Sequence, residues 1–245
     1  MILHFDIINI IAEYFEYSNL IKLIKCNKEL YNNIKIYSLC DKTTSKITVK
    51  KLKMKKFRKI KVLEFPRLGP CNNFNLNHFK KLEKLKCGGL MSYIKTSDIN
   101  KLKFLRTLNI SKNTFINDLN ILKNLEKLDV SYCTYINIEG IRNCNNLKFL
   151  NISGNPNFYI LNSLSIFPKL EYLECKAMQH LDSILNFENL DSLKVINLSN
   201  NSFDINSDIR VPKNLKKIIA KDCNIKNIKN FKNFAINVVN IKVIN

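Results

Sequence analysis

The stretch 105-LRTLNISKN-113 sets a pattern that most of this chain follows, and it returns as 125-LEKLDVSYC-133 and 147-LKFLNISGN-155. Each copy has apolar residues at its first, fourth and sixth positions and Asn or Cys at its ninth. Successive copies start between 20 and 23 residues apart. Full copies begin at Leu105, Leu125, Leu147, Leu193 and Leu215, and weaker copies begin at Ile60, Leu82, Leu170 and Ile236.

The alternation of apolar residues within each copy predicts a short strand that turns Leu108 and Ile110 towards a core. The Asn at the ninth position is expected to turn the chain out of the strand, and its side-chain amide is expected to bond neighbouring backbone groups inside the solenoid. Cys at this position is interpreted as a small substitute for Asn. One copy cannot bury its own apolar edge, so the copies must stack. Apolar spacing at a fixed period of about 22 residues is typical of leucine-rich repeats. We therefore predict an α/β repeat fold over residues 60–245, a leucine-rich-repeat solenoid with one short parallel strand per repeat and short 3₁₀ turns on the return side.

The composition restricts the class of protein. The first segment lacks the basic start of a signal peptide, and no apolar stretch is long enough to cross a membrane, so no membrane interaction is expected. The eight cysteines are scattered, and none forms a C-x-x-C pair. Such cysteines favour small buried residues in a reducing compartment, the cytoplasm or the nucleus, over disulfides or a metal site. We expect no metal and no cofactor.

The first forty residues break the period and have a pattern of their own. Apolar residues at helical spacing from Ile7 to Phe15, from Leu20 to Ile24 and from Leu30 to Ile34 predict three short amphipathic helices. So small a helical head cannot bury all its apolar surface, and it must pack on the solenoid or on a partner. One interpretation is a cap that closes the first repeat, which solenoids need.

The string 3-LHFDIINIIAEYFEYSNLIKLIKCNKELYNNI-34 also resembles an F-box, the adaptor-binding motif of cullin–RING ubiquitin ligases. His4 stands where the family usually has Pro, and Leu30 stands where many members have Trp. An F-box followed by leucine-rich repeats is a well-populated architecture, and the Asn-, Ile- and Lys-rich composition is similar to such proteins of large AT-rich DNA viruses. The resemblance implies an adaptor-binding surface made of Leu3, Ile7, Ile8, Ile11, Phe15, Leu20 and Leu23.

We accordingly divide the chain into an F-box-like helical head (1–40), a basic connector (41–59) and the solenoid (60–245). The connector contains most of a run of basic residues that extends from Lys50 to Lys61. With a net charge of +20, this run raises the question of nucleic-acid binding. Lysine spread among Asn and Ile, without the aromatic–basic interleaving of a nucleic-acid module, disfavours that interpretation. A solvated edge is the simpler account, and a patch for phosphate or for an acidic partner is the alternative.

Nothing in the sequence forms a catalytic arrangement. The three histidines, His4, His78 and His180, stand apart, and a Gly-rich phosphate loop is absent. Paired carboxylates would have to come from Asp129 and Glu174, which lie in non-adjacent repeats. We predict that the protein is not an enzyme.

The third, fifth and seventh positions of each repeat should face solvent on the concave side of the solenoid. Phe149, Tyr172 and Val195 share the third position in successive repeats, so they should lie side by side. Exposed aromatic residues at the centre of a concave sheet are typical interface anchors. The predicted target-binding residues are Lys127, Asp129, Phe149, Asn151, Tyr172, Glu174, Val195 and Asn197.

Two functions are compatible with these features. In the first, the protein is a substrate-recognition subunit of a cullin–RING ubiquitin ligase, whose head binds the adaptor and whose concave face binds an unidentified target protein. In the second, it is a leucine-rich-repeat interaction scaffold or regulator, and its N-terminal helices only cap the solenoid.

Overall fold

The computed structural model describes residues 38–40, 59–64, 76–88, 94–158, 161–178, 190–204 and 212–226. Within them, nine strands form one sheet in the order β1-β2-β3-β4-β5-β6-β7-β8-β10, and every neighbouring pair is parallel. All eleven strands of the described chain have three residues: β1 (Ser38–Cys40), β2 (Val62–Glu64), β3 (Lys84–Lys86), β4 (Thr107–Asn109), β5 (Lys127–Asp129), β6 (Phe149–Asn151), β7 (Tyr172–Glu174), β8 (Val195–Asn197), β9 (Ser202–Asp204), β10 (Lys217–Ile219) and β11 (Asn224–Lys226).

The repeat period fixes the register of the sheet, because equal positions of successive repeats pair with one another. Leu108 pairs with Leu128, and Leu128 with Leu150. The fourth positions form a continuous buried row, and so do the sixth positions. The prediction that the fourth positions are buried is confirmed, with exposure of at most 1% at Leu108, Leu128, Leu150, Leu173, Ile196 and Ile218.

The sheet begins earlier than Ile60, where the sequence pattern begins. Strand β1 pairs with β2 so that Leu39 lies opposite Leu63, the fourth position of the first recognised repeat. The end of the segment assigned to the head therefore contributes a strand to the sheet. The predicted helices of the head, the seven adaptor-binding residues and most of the basic connector lie outside the described residues, so the three-part division of the chain stays a prediction.

The return segments between the strands are short and varied. The described ones contain 3₁₀ helices at Leu76–His78, Glu139–Ile141 and Leu161–Ile166, and one four-residue α-helix, α1 (Thr96–Ile99). These 3₁₀ helices confirm the prediction of short 3₁₀ turns on the return side. The last two described repeats differ, because strands β9 and β11 follow the ninth position there and pair in a separate two-stranded parallel sheet.

Asn side chains at the ninth position bind buried backbone groups, as predicted, and these groups belong to the preceding repeat. The Nδ2 of Asn155 donates to the Val130 carbonyl at 2.8 Å, and its Oδ1 accepts from the N–H of Cys133 at 2.6 Å. Asn201 repeats the pattern with the carbonyl of Cys175 and the N–H of Met178. Each bond satisfies a buried backbone group that no strand partner reaches, so this ladder joins the repeats inside the core.

Cysteine replaces Asn in the same ladder. The Sγ of Cys133 donates to the Ile110 carbonyl at 3.2 Å, and Cys223 contacts the Leu198 carbonyl at the same distance. Burial raises the pKa of the Cys133 thiol to about 12, which keeps the proton that this hydrogen bond needs. Cys87, Cys133, Cys144, Cys175 and Cys223 are free, and all of these except Cys223 are buried.

The eighth position of each repeat that begins between Leu105 and Leu215 adopts a left-handed backbone conformation, a feature that the apolar pattern does not predict. The φ angles are 63° at Lys112, 56° at Tyr132, 65° at Gly154 and 60° at Asn200. This conformation turns the chain from the strand towards the ninth-position ladder, and it costs an L-residue other than Gly about 1 kcal/mol. At Gly154 an added Cβ would also lie 2.4 Å from the ring of Tyr132.

A second ladder runs just before the first position of the repeat. The side-chain amides of Asn124, Asn146 and Asn214 donate to the carbonyls of Lys103, Lys123 and Asp191 in the preceding repeat. The Asn-Leu pairs at 124–125, 146–147 and 214–215 are the sequence signal for it. Side-chain hydrogen bonds thus join neighbouring repeats at both ends of β5, β6 and β10.

Candidate binding face

The side of the nine-stranded sheet that faces away from the core carries the third, fifth and seventh positions of the repeats, and we call it the sheet face. The prediction that all these positions face solvent is wrong for Ser131, Ser153 and Ser199 at the seventh position, which are buried. It corresponds to the face predicted as concave. Its third positions are aligned by the strand register, in which Phe149 pairs with Tyr172 and Tyr172 pairs with Val195. All three side chains are partly exposed. The rings of Phe149 and Tyr172 are stacked, with centroids 5.1 Å apart and planes inclined by 19°.

The phenol of Tyr172 is held by polar neighbours on the same strand. Its hydroxyl donates to Oε1 of Glu174 at 3.3 Å, and Oε2 of Glu174 forms an ion pair with Nζ of Lys176 at 3.0 Å. Burial and the Glu174 carboxylate raise the pKa of Tyr172, so its hydroxyl stays protonated as a donor. The aromatic pair is therefore fixed in position before any partner arrives.

An Asn/Asp-x-Ser motif spans the fifth and seventh positions of four repeats. Oδ1 of Asp129 accepts from both the N–H and the hydroxyl of Ser131, and Nδ2 of Asn109 donates to Oδ2 of Asp129. Such local side-chain bonds stabilise the turn that ends each strand. The same bond to the serine N–H is made by Asn109 to Ser111, by Asn151 to Ser153 and by Asn197 to Ser199.

These internal bonds decide how accessible the predicted fifth-position residues are. Asn197 is only 6% exposed, and its Oδ1 accepts two bonds from Ser199. Asn151 and Asp129 are partly exposed, although each has an oxygen occupied by the following serine. Lys127 is exposed. The target-binding role of all eight residues stays a prediction, and Asn197 offers a partner the least surface of them.

One lysine lies at each end of the row formed by Phe149, Tyr172 and Val195. Lys127 pairs in register with Phe149, and Lys217 pairs with Val195. Both are exposed, and neither makes an ion pair with any described residue. On the N-terminal part of the face, by contrast, Lys84 and Lys86 both bind Glu64, at 2.5 and 3.4 Å.

The second positions of the repeats carry charges of alternating sign along one edge of the sheet, and we call this row the edge ladder. Arg106 and Lys148 both bind Glu126, at 2.6 and 3.2 Å, and together they lower the pKa of that carboxyl. The row is Lys61, Glu83, Arg106, Glu126, Lys148, Glu171 and Lys194, followed by Lys216, which breaks the alternation. Surface ion pairs of this kind contribute little to stability individually. Their main effect is to place opposite charges beside each other in neighbouring repeats.

Exposed aromatic side chains outside the sheet face were not anticipated from the sequence. Phe115 and Tyr135 occupy the eleventh position of successive repeats, with 47% and 62% of their surface exposed. Tyr132 lies over Gly154 of the next repeat. Their shared position in the period is the signal that could have revealed them.

The described residues offer little for catalysis or for a metal. Asp129 and Glu174 lie on strands that are separated by Asn151 of β6. Among these residues, no group of three or more His, Cys, Asp or Glu side chains could hold a metal ion. No helix in the described part of the chain has the length and apolar character to span a bilayer.

The architecture defines a class, the leucine-rich-repeat solenoid, and solved structures share it. An internalin (InlF) from Listeria monocytogenes has a TM-score of 0.59 at 18% identity, over 84% of this chain and 62% of the internalin. The functional domain of InlJ from the same organism, which includes a cysteine ladder, has a TM-score of 0.56 at 19% identity, over 82% and 47%. Toll-like receptor 13, in a complex with single-stranded RNA, has a TM-score of 0.58 at 20% identity, over 80% and 30%.

At these identities the likeness establishes the fold alone. The chain spans less than two thirds of the InlF structure. No protein-family model and no curated protein sequence matches this chain.

Proposed function

We propose that this protein is a non-enzymatic leucine-rich-repeat scaffold that binds a protein partner through the sheet face. The observation that carries the proposal is the stacked pair of Phe149 and Tyr172 at the centre of that face. The core of the solenoid does not need this pair, because Leu150 and Leu173, the next residues along each strand, supply the buried side chains.

Physical considerations favour protein binding by this pair. Aromatic side chains that become desolvated at the centre of an interface commonly carry a large share of the binding free energy. Here the rings are already stacked and Tyr172 is anchored to Glu174, so little conformational entropy remains to be lost on binding. The polar residues around them are internally bonded, which suits them to the rim of an interface.

We expect the double change Phe149→Ala and Tyr172→Ala to weaken partner capture by about 2 kcal/mol or more, because it removes the apolar centre of the face. The measurement is a pull-down that compares the proteins bound by the wild-type protein with those bound by the variant. The affinity of each recovered partner is then measured by titration. Melting temperatures should stay close to wild type, since neither ring lies in the core.

Arg142→Ala is the matched control, because Arg142 is exposed beside the 3₁₀ helix Glu139–Ile141 on the return side and forms only a surface ion pair with Glu139. Equal loss of capture from both variants would show that the sheet face is not the recognition surface.

A second candidate function combines this scaffold with the F-box-like head. We propose that residues 1–40 dock on a ubiquitin-ligase adaptor and that the solenoid presents a target for ubiquitination. Support comes from the sequence resemblance and from β1, which makes the residues directly after the predicted helices part of the sheet. A head attached in this way would be held close to the first repeats.

Changing Ile8 and Leu20 to Asp is expected to abolish adaptor binding while leaving the solenoid folded, because repeat stability depends mainly on nearest neighbours. A pull-down with purified adaptor, alongside circular dichroism of each variant, measures both effects. If the unchanged protein does not bind the adaptor, the cap interpretation of the head is the correct one.

We also propose that the protein works in a reducing compartment, the cytoplasm or the nucleus, which would be those of the host cell if the protein is viral. The proposal is supported by the buried free thiols of Cys87, Cys133, Cys144 and Cys175. Buried thiols of this kind fill space in the core as small apolar residues.

A further inference from the structure

One row of the sheet face combines an apolar centre with a cation at each end. In strand order its residues are Lys127, Phe149, Tyr172, Val195 and Lys217. All five share the third position of consecutive repeats, so they form a straight line across strands β5, β6, β7, β8 and β10. We call this line the bracketed row.

The charges at the two ends of the bracketed row are available to a partner. Lys127 and Lys217 are exposed and make no ion pair with the described residues, whereas Lys84, Lys86 and Lys176 on the same face are each paired with a glutamate. An ammonium group without an internal counterion attracts a carboxylate from outside and steers its approach.

The spacing of the strands sets the distance between the two lysines of the bracketed row. Neighbouring strands lie about 4.8 Å apart, so the Cα atoms of Lys127 and Lys217 are separated by four steps, roughly 19 Å. An extended polypeptide advances about 3.3 to 3.6 Å per residue, so it covers this distance in about five or six residues. The side chain midway along such a peptide would lie over Tyr172, between Phe149 and Val195.

We propose that the bracketed row binds an extended protein segment that crosses the strands, with acidic residues about five or six positions apart and a large apolar side chain between them. This inference rests on the proposed function, because it names the kind of partner that the sheet face binds.

Other groups on the face favour a peptide over a nucleic acid. The rings of Phe149 and Tyr172 stack on each other, so no gap remains between them for a base. Single-stranded nucleic acid is normally held by bases stacked on free aromatic faces along a continuously positive groove. Here the carboxylates of Asp129 and Glu174 lie two residues along the strands from Lys127 and Tyr172 and interrupt the positive charge of the row. A phosphate chain carries a negative charge at every nucleotide and would be repelled by them more than a segment whose two carboxylates lie at Lys127 and Lys217.

The test uses four fluorescent eleven-residue peptides in a Gly/Ser background, measured by anisotropy at low salt. The first has Phe at its centre and Glu three residues to either side. The second has the two Glu directly beside the Phe, the third has Lys in place of Glu, and the fourth has Ala in place of Phe. Twelve-residue oligothymidine is the nucleic-acid probe.

We expect wild-type protein to bind the first peptide about tenfold or more tightly than each of the other three. The variant Lys127→Glu/Lys217→Glu should reverse the preference, so that it binds the Lys peptide more tightly than the Glu peptide. The control Lys101→Glu/Lys103→Glu makes the same change in net charge at exposed positions outside the sheet face and should retain the wild-type order.

The two proposals fail in different ways. If binding of the first peptide is lost on changing Phe149 and Tyr172 to Ala but does not respond to reversal of the two lysines, the acidic-peptide inference is wrong and the binding face stands. If neither change affects it, both are wrong. Tighter binding of oligothymidine than of the first peptide, lost on reversal of the two lysines, would overturn the inference in favour of nucleic acid. An equal loss in the control variant would also overturn it.

Discussion

Replacing Leu150 with Ala should lower the free energy of unfolding by about 2–5 kcal/mol, the largest effect we expect from a single change in this protein. The Leu150 side chain is fully buried at the fourth position of β6, between Leu128 and Leu173 of the adjacent strands. Removing its methyl groups leaves a cavity that cannot collapse easily, because the hydrogen bonds of β5 and β7 hold the neighbouring backbones in place.

Urea unfolding followed by circular dichroism measures this loss. Phe149→Ala is a matched control, because residue 149 precedes Leu150 in the same strand but faces solvent. It should cost less than about 1 kcal/mol. A larger loss at Phe149 than at Leu150 would show that the two faces of the strand have been assigned the wrong way round.

The second large effect is expected at Asn155. Its amide satisfies the carbonyl of Val130 and the N–H of Cys133, both inside the core. Asn155→Ala removes both bonds and leaves these two buried backbone groups with only the 3.2 Å bond between them, so we expect a loss of about 1–3 kcal/mol in the free energy of unfolding.

Asn155→Cys tests whether hydrogen bonding is the cause. At the equivalent position of the preceding repeat, Cys133 donates its thiol proton to the carbonyl of Ile110. A cysteine at 155 can satisfy the Val130 carbonyl in the same way, although it cannot accept from the Cys133 N–H as strongly as an amide oxygen does. We expect it to recover about half of the loss. Equal destabilisation by Ala and Cys, measured by urea unfolding, would mean that a donor to the Val130 carbonyl does not account for the stabilisation by Asn155.

The strands and the core could be predicted because one short pattern determines both. A period of two within each strand and about 22 between strands assigns every fourth and sixth position to the interior. The sequence pattern did not predict the strand at Ser38–Cys40, because this copy lacks the expected residues at two positions. Leu39 is a proper fourth residue, but Asp41 is at the sixth position and Thr44 at the ninth. A pattern based on apolar spacing cannot identify a strand such as β1, which is recognised by its backbone pairing with β2.

The candidate site was predicted in outline and not in detail. The row of Phe149, Tyr172 and Val195 follows from the period, since equal positions must become neighbours. The burial of Asn197 does not follow, because it depends on the bonds that its amide oxygen makes with Ser199. The left-handed conformation at the eighth position was not predicted for a related reason. Lys112 and Tyr132 are not residue types that indicate it, and the surrounding ladder imposes the conformation.

The edge ladder has a consequence for how such a chain can gain or lose repeats over evolutionary time. Sterically the repeats are interchangeable, because each presents the same apolar positions to its neighbours. Electrostatically the unit is a pair of repeats, because the charge at the second position changes sign from one repeat to the next. Loss of the repeat that contains Glu126 would bring Arg106 beside Lys148, two like charges, whereas loss of two adjacent repeats would restore an attractive neighbour. Between Lys61 and Lys194, then, recombination in pairs conserves the edge of the sheet and recombination of single repeats does not.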